Sequence, residues 1–148
     1  MITSDAIGNP LKWRDSATMT WFGRQLKTYA KGGTTTTYLY DDSGLRTRKT
    51  VGSTTTDYLY LGGNLVYQKS GTTEIYFYYD AQGVAGFTYT NGSTVETYYY
   101  MKNLQGDIIN ILDKDGKVVV TYTYDAWGNI ISTTGTLAST VGAINPLR

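Results

Sequence analysis

The chain has 148 residues with 13 basic and 12 acidic side chains, a formal net charge of +1, and neither cysteine nor histidine. That length suits one domain with its own core, while the missing residue types exclude disulfides, thiolate zinc sites and Ser/His/Asp or Cys/His nucleophilic machinery. The balanced charge excludes electrostatic capture of nucleic acid or of an anionic membrane surface. Fifteen tyrosines, 25 threonines and 17 glycines against two prolines make an all-β composition, because Tyr and Thr favour strands and Gly favours turns.

In chain order, residues 1–33 read as a degenerate repeat. DAIGNPLKW (5–13) holds an Asp-x-x-Gly-Asn turn, and MTWFGRQLKTY (19–29) reads as strand, turn, strand. Residues 34–132 carry the repeat proper. YLYDDSGLR (38–46), FYYDAQGVA (77–85) and YTYDAWGNI (122–130) are versions of one phrase. The tyrosine closing each version falls at Tyr40, Tyr60, Tyr79, Tyr100 and Tyr124, at intervals of 20, 19, 21 and 24 residues. A period near twenty marks a repeated supersecondary unit.

Each unit predicts one β-hairpin. An alternating strand leads in, with Tyr38 and Tyr40 among its motif residues, and residues two apart share a strand face, so Tyr58 and Tyr60, Tyr98 and Tyr100, and Tyr122 and Tyr124 each form a same-face pair. A turn rich in Asp, Gly and Asn follows, with Gly44, Gly63, Gly83, Gly106 and Gly128 as its glycines. A second strand runs out and a second turn closes the unit. At Asn91-Gly92 and Asp115-Gly116 that second turn predicts a type I′ hairpin, in which both central residues take positive φ. The last stretch, residues 133–148, lacks alternation and reads as a loop. No helix is expected anywhere.

The aspartates Asp41, Asp80 and Asp125 invite a catalytic reading, since general acid–base chemistry uses converging carboxylates. They instead recur in separate hairpins, each three residues before a glycine. An aspartate there accepts hydrogen bonds from backbone amides two residues on and shapes the turn. Leu61 stands where a fourth would fall, which favours the turn role. DKDGK (113–117) lacks the further oxygen ligands and closing Glu of a calcium loop, so no metal, cofactor or catalytic residue is assigned. NGS (91–93) fits a glycosylation sequon that the turn already explains. Gly32-Gly33 and Gly62-Gly63 lack the Lys-Ser/Thr of a phosphate loop.

The Tyr-x-Tyr-Asp-x-x-Gly phrases resemble the YD repeats of bacterial RHS proteins. NLQGDI (103–108), YDAWGN (124–129) and NPLR (145–148) are similar to the end of the RHS repeat-associated core. The resemblance implies a secreted or cell-surface polymorphic-toxin protein whose repeats form a sheet spiralling into a hollow shell around a C-terminal toxin. The self-cleaving aspartates of such proteins lie beyond the Asn-Pro-x-Arg segment, so none carries over. No signal peptide stands at MITSDAIGNP, and no apolar run is long enough to span a membrane.

The expectation is therefore an all-β, antiparallel, twisted and curved hairpin meander with a structural, non-catalytic role. Its partners would be neighbouring repeats of a longer chain and an enclosed toxin, or copies of itself pairing through open sheet edges. The alternative is a glycan-binding repeat module at a cell surface, using the tyrosine rows to stack on sugars.

Overall fold

Threonine- and tyrosine-rich runs become strands because β-branched and aromatic side chains fit a pleated, half-buried surface. The computed structural model describes residues 2–14 and 16–148. Two units emerge, Met1–Thr72 and Thr73–Arg148. In the first, eight strands follow one another: β1 (Thr3–Ser4), β2 (Pro10–Lys12), β3 (Thr18–Phe22), β4 (Gln25–Lys31), β5 (Thr34–Tyr40), β6 (Arg46–Val51), β7 (Thr54–Leu61) and β8 (Asn64–Ser70). Each pairs antiparallel with the next.

The second unit contains β9 (Thr73–Asp80), β10 (Gly83–Asn91), β11 (Thr94–Lys102), β12 (Ile108–Leu112), β13 (Val118–Tyr124) and β14 (Ile130–Thr134), again in consecutive antiparallel order. The expected all-β hairpin architecture is what forms.

One departure lies at the C-terminal end. Residues 133–148, expected as a loop, contain the last two residues of β14 and a four-residue helix, α1 (Val141–Ile144). A single helical turn is too short to show a 3.6-residue period, so no sequence pattern announces it. Its buried Val141 and Gly142 hold it in place. A Cβ at Gly142 would come within 3.0 Å of Val120 and 3.1 Å of Thr133.

The core lies on one face of each sheet. In the second unit Ile75, Phe77, Phe87, Tyr98, Ile111, Val120 and Tyr122 are buried, whereas Tyr76, Tyr78 and Tyr99, one residue out of phase, are 45%, 45% and 48% exposed. This is the period-two pattern of a sheet with one covered face.

Two kinds of reversal join the strands. In the first, residue i donates its amide to the carbonyl of i+4, and the amide of i+3 returns to the carbonyl of i. This recurs at residues 5–9, 13–17, 41–45, 103–107, 113–117 and 125–129. The fourth residue sits at positive φ: a glycine in five of them and Ser16 (φ 65°) in the other. The second kind is a two-residue link.

This sorting corrects the type I′ expectation at two places. At Asp115-Gly116 the chain makes the five-residue reversal, and only Gly116 has positive φ (78°). At Asn91-Gly92, Asn91 is the last residue of β10, paired with Thr94. The link is Gly92-Ser93, with positive φ (62°) at Gly92 alone, the pattern of a type II′ turn. The register that pairs Asn91 with Thr94 shifts the turn by one residue. Gly62-Gly63 does have positive φ at both positions, 58° and 84°. A link of that kind needs glycine and no carboxylate, which accounts for Leu61 in the aspartate place.

Gly86 tests the packing of this unit. It pairs with Tyr78 on β9 and Tyr99 on β11, and an added Cβ would lie 2.3 Å from the Tyr98 carbonyl oxygen. Backbone blocks that space, so Gly86→Ala should destabilise the fold by about 1–3 kcal/mol, as overpacking does. A lowered denaturation midpoint with unchanged m-value checks it.

Candidate functional site

The repeated acids come first. Asp125 Oδ1 accepts the amides of Trp127 (2.8 Å) and Asn129 (2.9 Å), while Oδ2 accepts from the Asn129 side-chain amide at 2.8 Å. Asp41 Oδ1 accepts the amides of Ser43 and Leu45, both at 2.9 Å. Asp5 repeats the Asp125 arrangement with Ile7 and Asn9. Asp80 accepts from Gln82 at 2.8 Å, beside Gly83 at φ 100°. Each carboxylate thus serves the bend it begins.

Two further members join this set: the sequence places Asp113 in a hairpin turn without giving its side chain a role there, and gives Asn103 no turn role. Asn103 takes the amides of Gln105 and Asp107, and Asp113 those of Asp115 and Lys117. The signal was present as Asx-x-x-Gly at both places, but neither follows a Tyr-x-Tyr phrase ending in Asp. Among the described residues no group of three or more acids stands where a metal ion could be held.

The tyrosines divide by what their hydroxyls reach. Tyr40 donates to the Leu26 carbonyl (3.1 Å) and Tyr124 to the Ile108 carbonyl (2.7 Å), so in both a strand is tied to its predecessor. Phe87 lies 5.3 Å from the rings of both Tyr98 and Tyr100 and 6.2 Å from Phe77. Tyr122 and Tyr124 are 6.3 Å apart. These are tilted aromatic contacts of the kind that add stability beyond area burial. Tyr98 also bonds the Glu96 carboxylate. Tyr60 and Tyr79 are half-buried on the same rows, and burial pushes the Tyr79 hydroxyl up.

In the first unit an arginine completes the row. Arg46 places its guanidinium carbon 5.5 Å from the ring centres of both Tyr38 and Tyr58. A β-bulge puts it there: Leu39 pairs with Arg48 but Tyr40 pairs with Arg46, so one residue of β6 is skipped. The planar cation fills the place of a ring between two rings.

The most enclosed polar residue is Asn145, 1% exposed. Its Oδ1 accepts the Tyr100 hydroxyl (2.7 Å) and the Leu147 amide (3.2 Å), and its Nδ2 donates to the Leu147 carbonyl (3.0 Å) and the Tyr122 hydroxyl (3.4 Å). Tyr122 in turn donates to the Gly142 carbonyl at 2.9 Å. Arg148 donates to the same carbonyl at 2.5 Å and to that of Ala143 at 2.9 Å. The Asn-Pro-x-Arg segment is therefore a clasp, holding the chain after β14 against repeat tyrosines on β11 and β13. Burial, with Tyr122 and Tyr79 nearby, raises the Tyr100 hydroxyl well above its ordinary value, so it remains a donor.

These constellations hold side chains in place. A groove of about 740 Å³ in the second unit is bordered by Glu96, Tyr98, Asp113, Lys114, Asp115 and Leu137. Its Asp113 Oδ1 is taken by turn amides, and Lys114 is paired with Asp115 at 2.8 Å.

Removing the clasp should be costly. Asn145→Ala leaves the Tyr100 hydroxyl without its acceptor, which costs about 1–3 kcal/mol for a buried group and should lower the midpoint of urea unfolding. The Asp125 turn predicts a pH dependence. The Asn129 side-chain amide, with the backbone amides, holds this carboxyl below its ordinary value of 3.8. Its stabilisation is fully present above that value and is lost as the pH falls through the lowered folded value. Asp125→Asn keeps a turn acceptor and should flatten the loss of stability in a thermal-unfolding series taken through about pH 4 and below.

Comparison with known proteins adds a family. The RHS Repeat family model matches residues 103–140. The tRNA nuclease WapA of Bacillus subtilis is 41% identical over 98 residues, 63% of this chain, and the tRNA3(Ser)-specific nuclease WapA of Bacillus spizizenii is 40% identical over the same length. The chain spans only 4% of the length of either relative. Among solved structures, the Photorhabdus luminescens Tc holotoxin pore aligns with 98% of this chain and 8% of its own, at a TM-score of 0.59 and 14% identity. The TcdB2–TccC3–TEV crystal structure aligns over 98% of this chain and 8% of its own, at 0.60 and 14%. These low identities speak for the fold alone. Its repeat wording, its consecutive hairpins and these matches together support an RHS/YD-repeat protein.

Proposed function

We propose that this chain is a non-catalytic wall segment of a longer RHS/YD-repeat toxin protein, exported to or beyond the cell surface, where its sheet encloses or presents a C-terminal toxin. The observation that carries this reading is where the repeated groups point. Every acid of the repeat closes its own turn, and the inward Tyr40, Tyr100, Tyr122 and Tyr124 close onto backbone or onto Asn145. Repeating such a phrase along the chain builds sheet. The nuclease names of the WapA proteins describe chains of which this segment matches 4%. Among the described residues no helix is long and apolar enough to cross a membrane.

A second reading, a surface that binds neutral glycans, is favoured by one feature. Tyr78 and Tyr99 stand about half exposed on the outer face, on either side of Gly86, and aromatic faces stack on apolar faces of ligands. On a glycan array, binding that disappears in Tyr78→Ala and Tyr99→Ala would support it, and an empty array would remove it.

The wall reading is tested by limited proteolysis of the natural protein that contains this segment. The part following Arg148 should stay intact until denaturant unfolds the repeats, and the 148-residue chain alone should leave tRNA uncut. Equal cleavage of that part in native and denatured protein would overturn the reading, as would nuclease activity in the isolated chain.

A further inference from the structure

The tyrosine-row face of the first unit carries cations and no acid across β4–β8. On β6, Lys49 pairs with Tyr38 and Arg46 with Tyr40. The bulge between those pairings makes Arg46 and Lys49 successive side chains on that face, about 7 Å apart along the strand. Asp57 is the one acid on strands β4–β8, and it lies on the opposite face, where it meets Arg48. Asp41, in the turn before β6, gives its Oδ1 to the amides of Ser43 and Leu45. Among the described residues neither Arg46 nor Lys49 has an ion-pair partner. Two neighbouring cations repel each other unless an anion comes between them.

The surroundings suit a carboxylate. Arg46 is held between a ring from β5 and a ring from β7, Tyr38 and Tyr58, each centred 5.5 Å from its guanidinium carbon. The rings fix the cation without using its N–H groups, which make no hydrogen bond among the described residues. A guanidinium so placed takes a carboxylate through two parallel N–H···O bonds. Access is open: Arg46 is exposed and Lys49 half-buried, and on β4–β8 the only buried residues are Thr36 and Leu65.

We propose that this face is a docking site for an acidic polypeptide segment, with Arg46 taking one side-chain carboxylate and Lys49 the next. In an extended peptide, residues two apart share one side at about 7 Å, which matches the spacing of the two cations. The fitting segment therefore reads Asp/Glu-x-Asp/Glu, laid along β6. A nucleic-acid strand fits less well, because it binds through many phosphate contacts and through bases stacked on aromatic faces. Here two cations stand together, and Tyr38 and Tyr58 already pack against Arg46. Docking of this kind does not depend on the wall reading, so the isolated chain should show it.

The experiment is fluorescence anisotropy of a dye-labelled peptide of alternating Glu and Ser, titrated with the purified chain. The expected result is saturable binding that weakens with added salt and is absent for Lys-Ser and Gln-Ser peptides. Arg46→Gln and Lys49→Gln should each weaken it about tenfold, the loss of one charge-assisted hydrogen bond. Arg48→Gln removes the same charge from the opposite face of the same strand and should leave binding unchanged. Circular dichroism checks that the variants keep their strands; where Arg46→Gln does not, Lys49→Gln alone decides. Absence of saturable binding overturns the proposal. So does binding that survives Lys49→Gln undiminished, that falls equally in Arg48→Gln, or that is exceeded by a single-stranded oligonucleotide of the same charge.

Discussion

A lone layer of antiparallel strands has no second layer to pack against, so it must draw its core from one of its own faces. In this chain the demand is met by aromatic side chains lying sideways across neighbouring strands. The Phe77, Phe87, Tyr98 and Tyr100 rings are 5.3–6.2 Å apart along the chain of contacts centred on Phe87. Phenylalanine alone would bury as much, but tyrosine brings a hydroxyl that finishes on a carbonyl of the preceding strand, as at Tyr40 and Tyr124. The same side chain thus supplies apolar contact and a strand-to-strand tie. Where β6 has no tyrosine to offer, the bulge swings Arg46 between two rings and the row continues.

The turns follow from that arrangement. Strands held at a fixed spacing must reverse within a few residues, and the amides of the bend face inward with no strand to meet them. One carboxylate or amide oxygen accepts two of these at once, which is why Asp or Asn opens five of the six five-residue reversals. The sixth, residues 13–17, begins with Trp13 and shows that the backbone pair of hydrogen bonds can form around another side chain. A repeated acid is the usual mark of repeated chemistry. Its placement in separate bends explains the recurrence without any common substrate.

The clasp has a different logic. Asn145 makes no strand, yet it joins two tyrosines of the repeat to the segment that follows the sheet. Repeat residues are here put to a second use, with the hydroxyls of Tyr100 and Tyr122 turned toward the tail. The C-terminal end of the sheet is thus bound on its face.

Strand alternation, the twenty-residue period and the glycines were legible in the residues themselves, because period-two patterning and positive φ are local demands. That legibility covers the hairpins, the same-face tyrosine pairs and the turn position of Asp41, Asp80 and Asp125. Register was not local. Whether Asn91 stands in the turn or closes β10 depends on its pairing with Thr94, and the bulge that re-aims Arg46 depends on how β5 and β6 meet. Nor did any sequence period mark α1, whose single turn exists because Val141 and Gly142 fit against β13 and β14. Sequence alone determined that the chain would be a series of hairpins with aromatic rows. Only the tertiary structure decided that Asn145 would lock Tyr100 and Tyr122, since residues 45 and 23 positions apart meet only once the intervening strands have stacked.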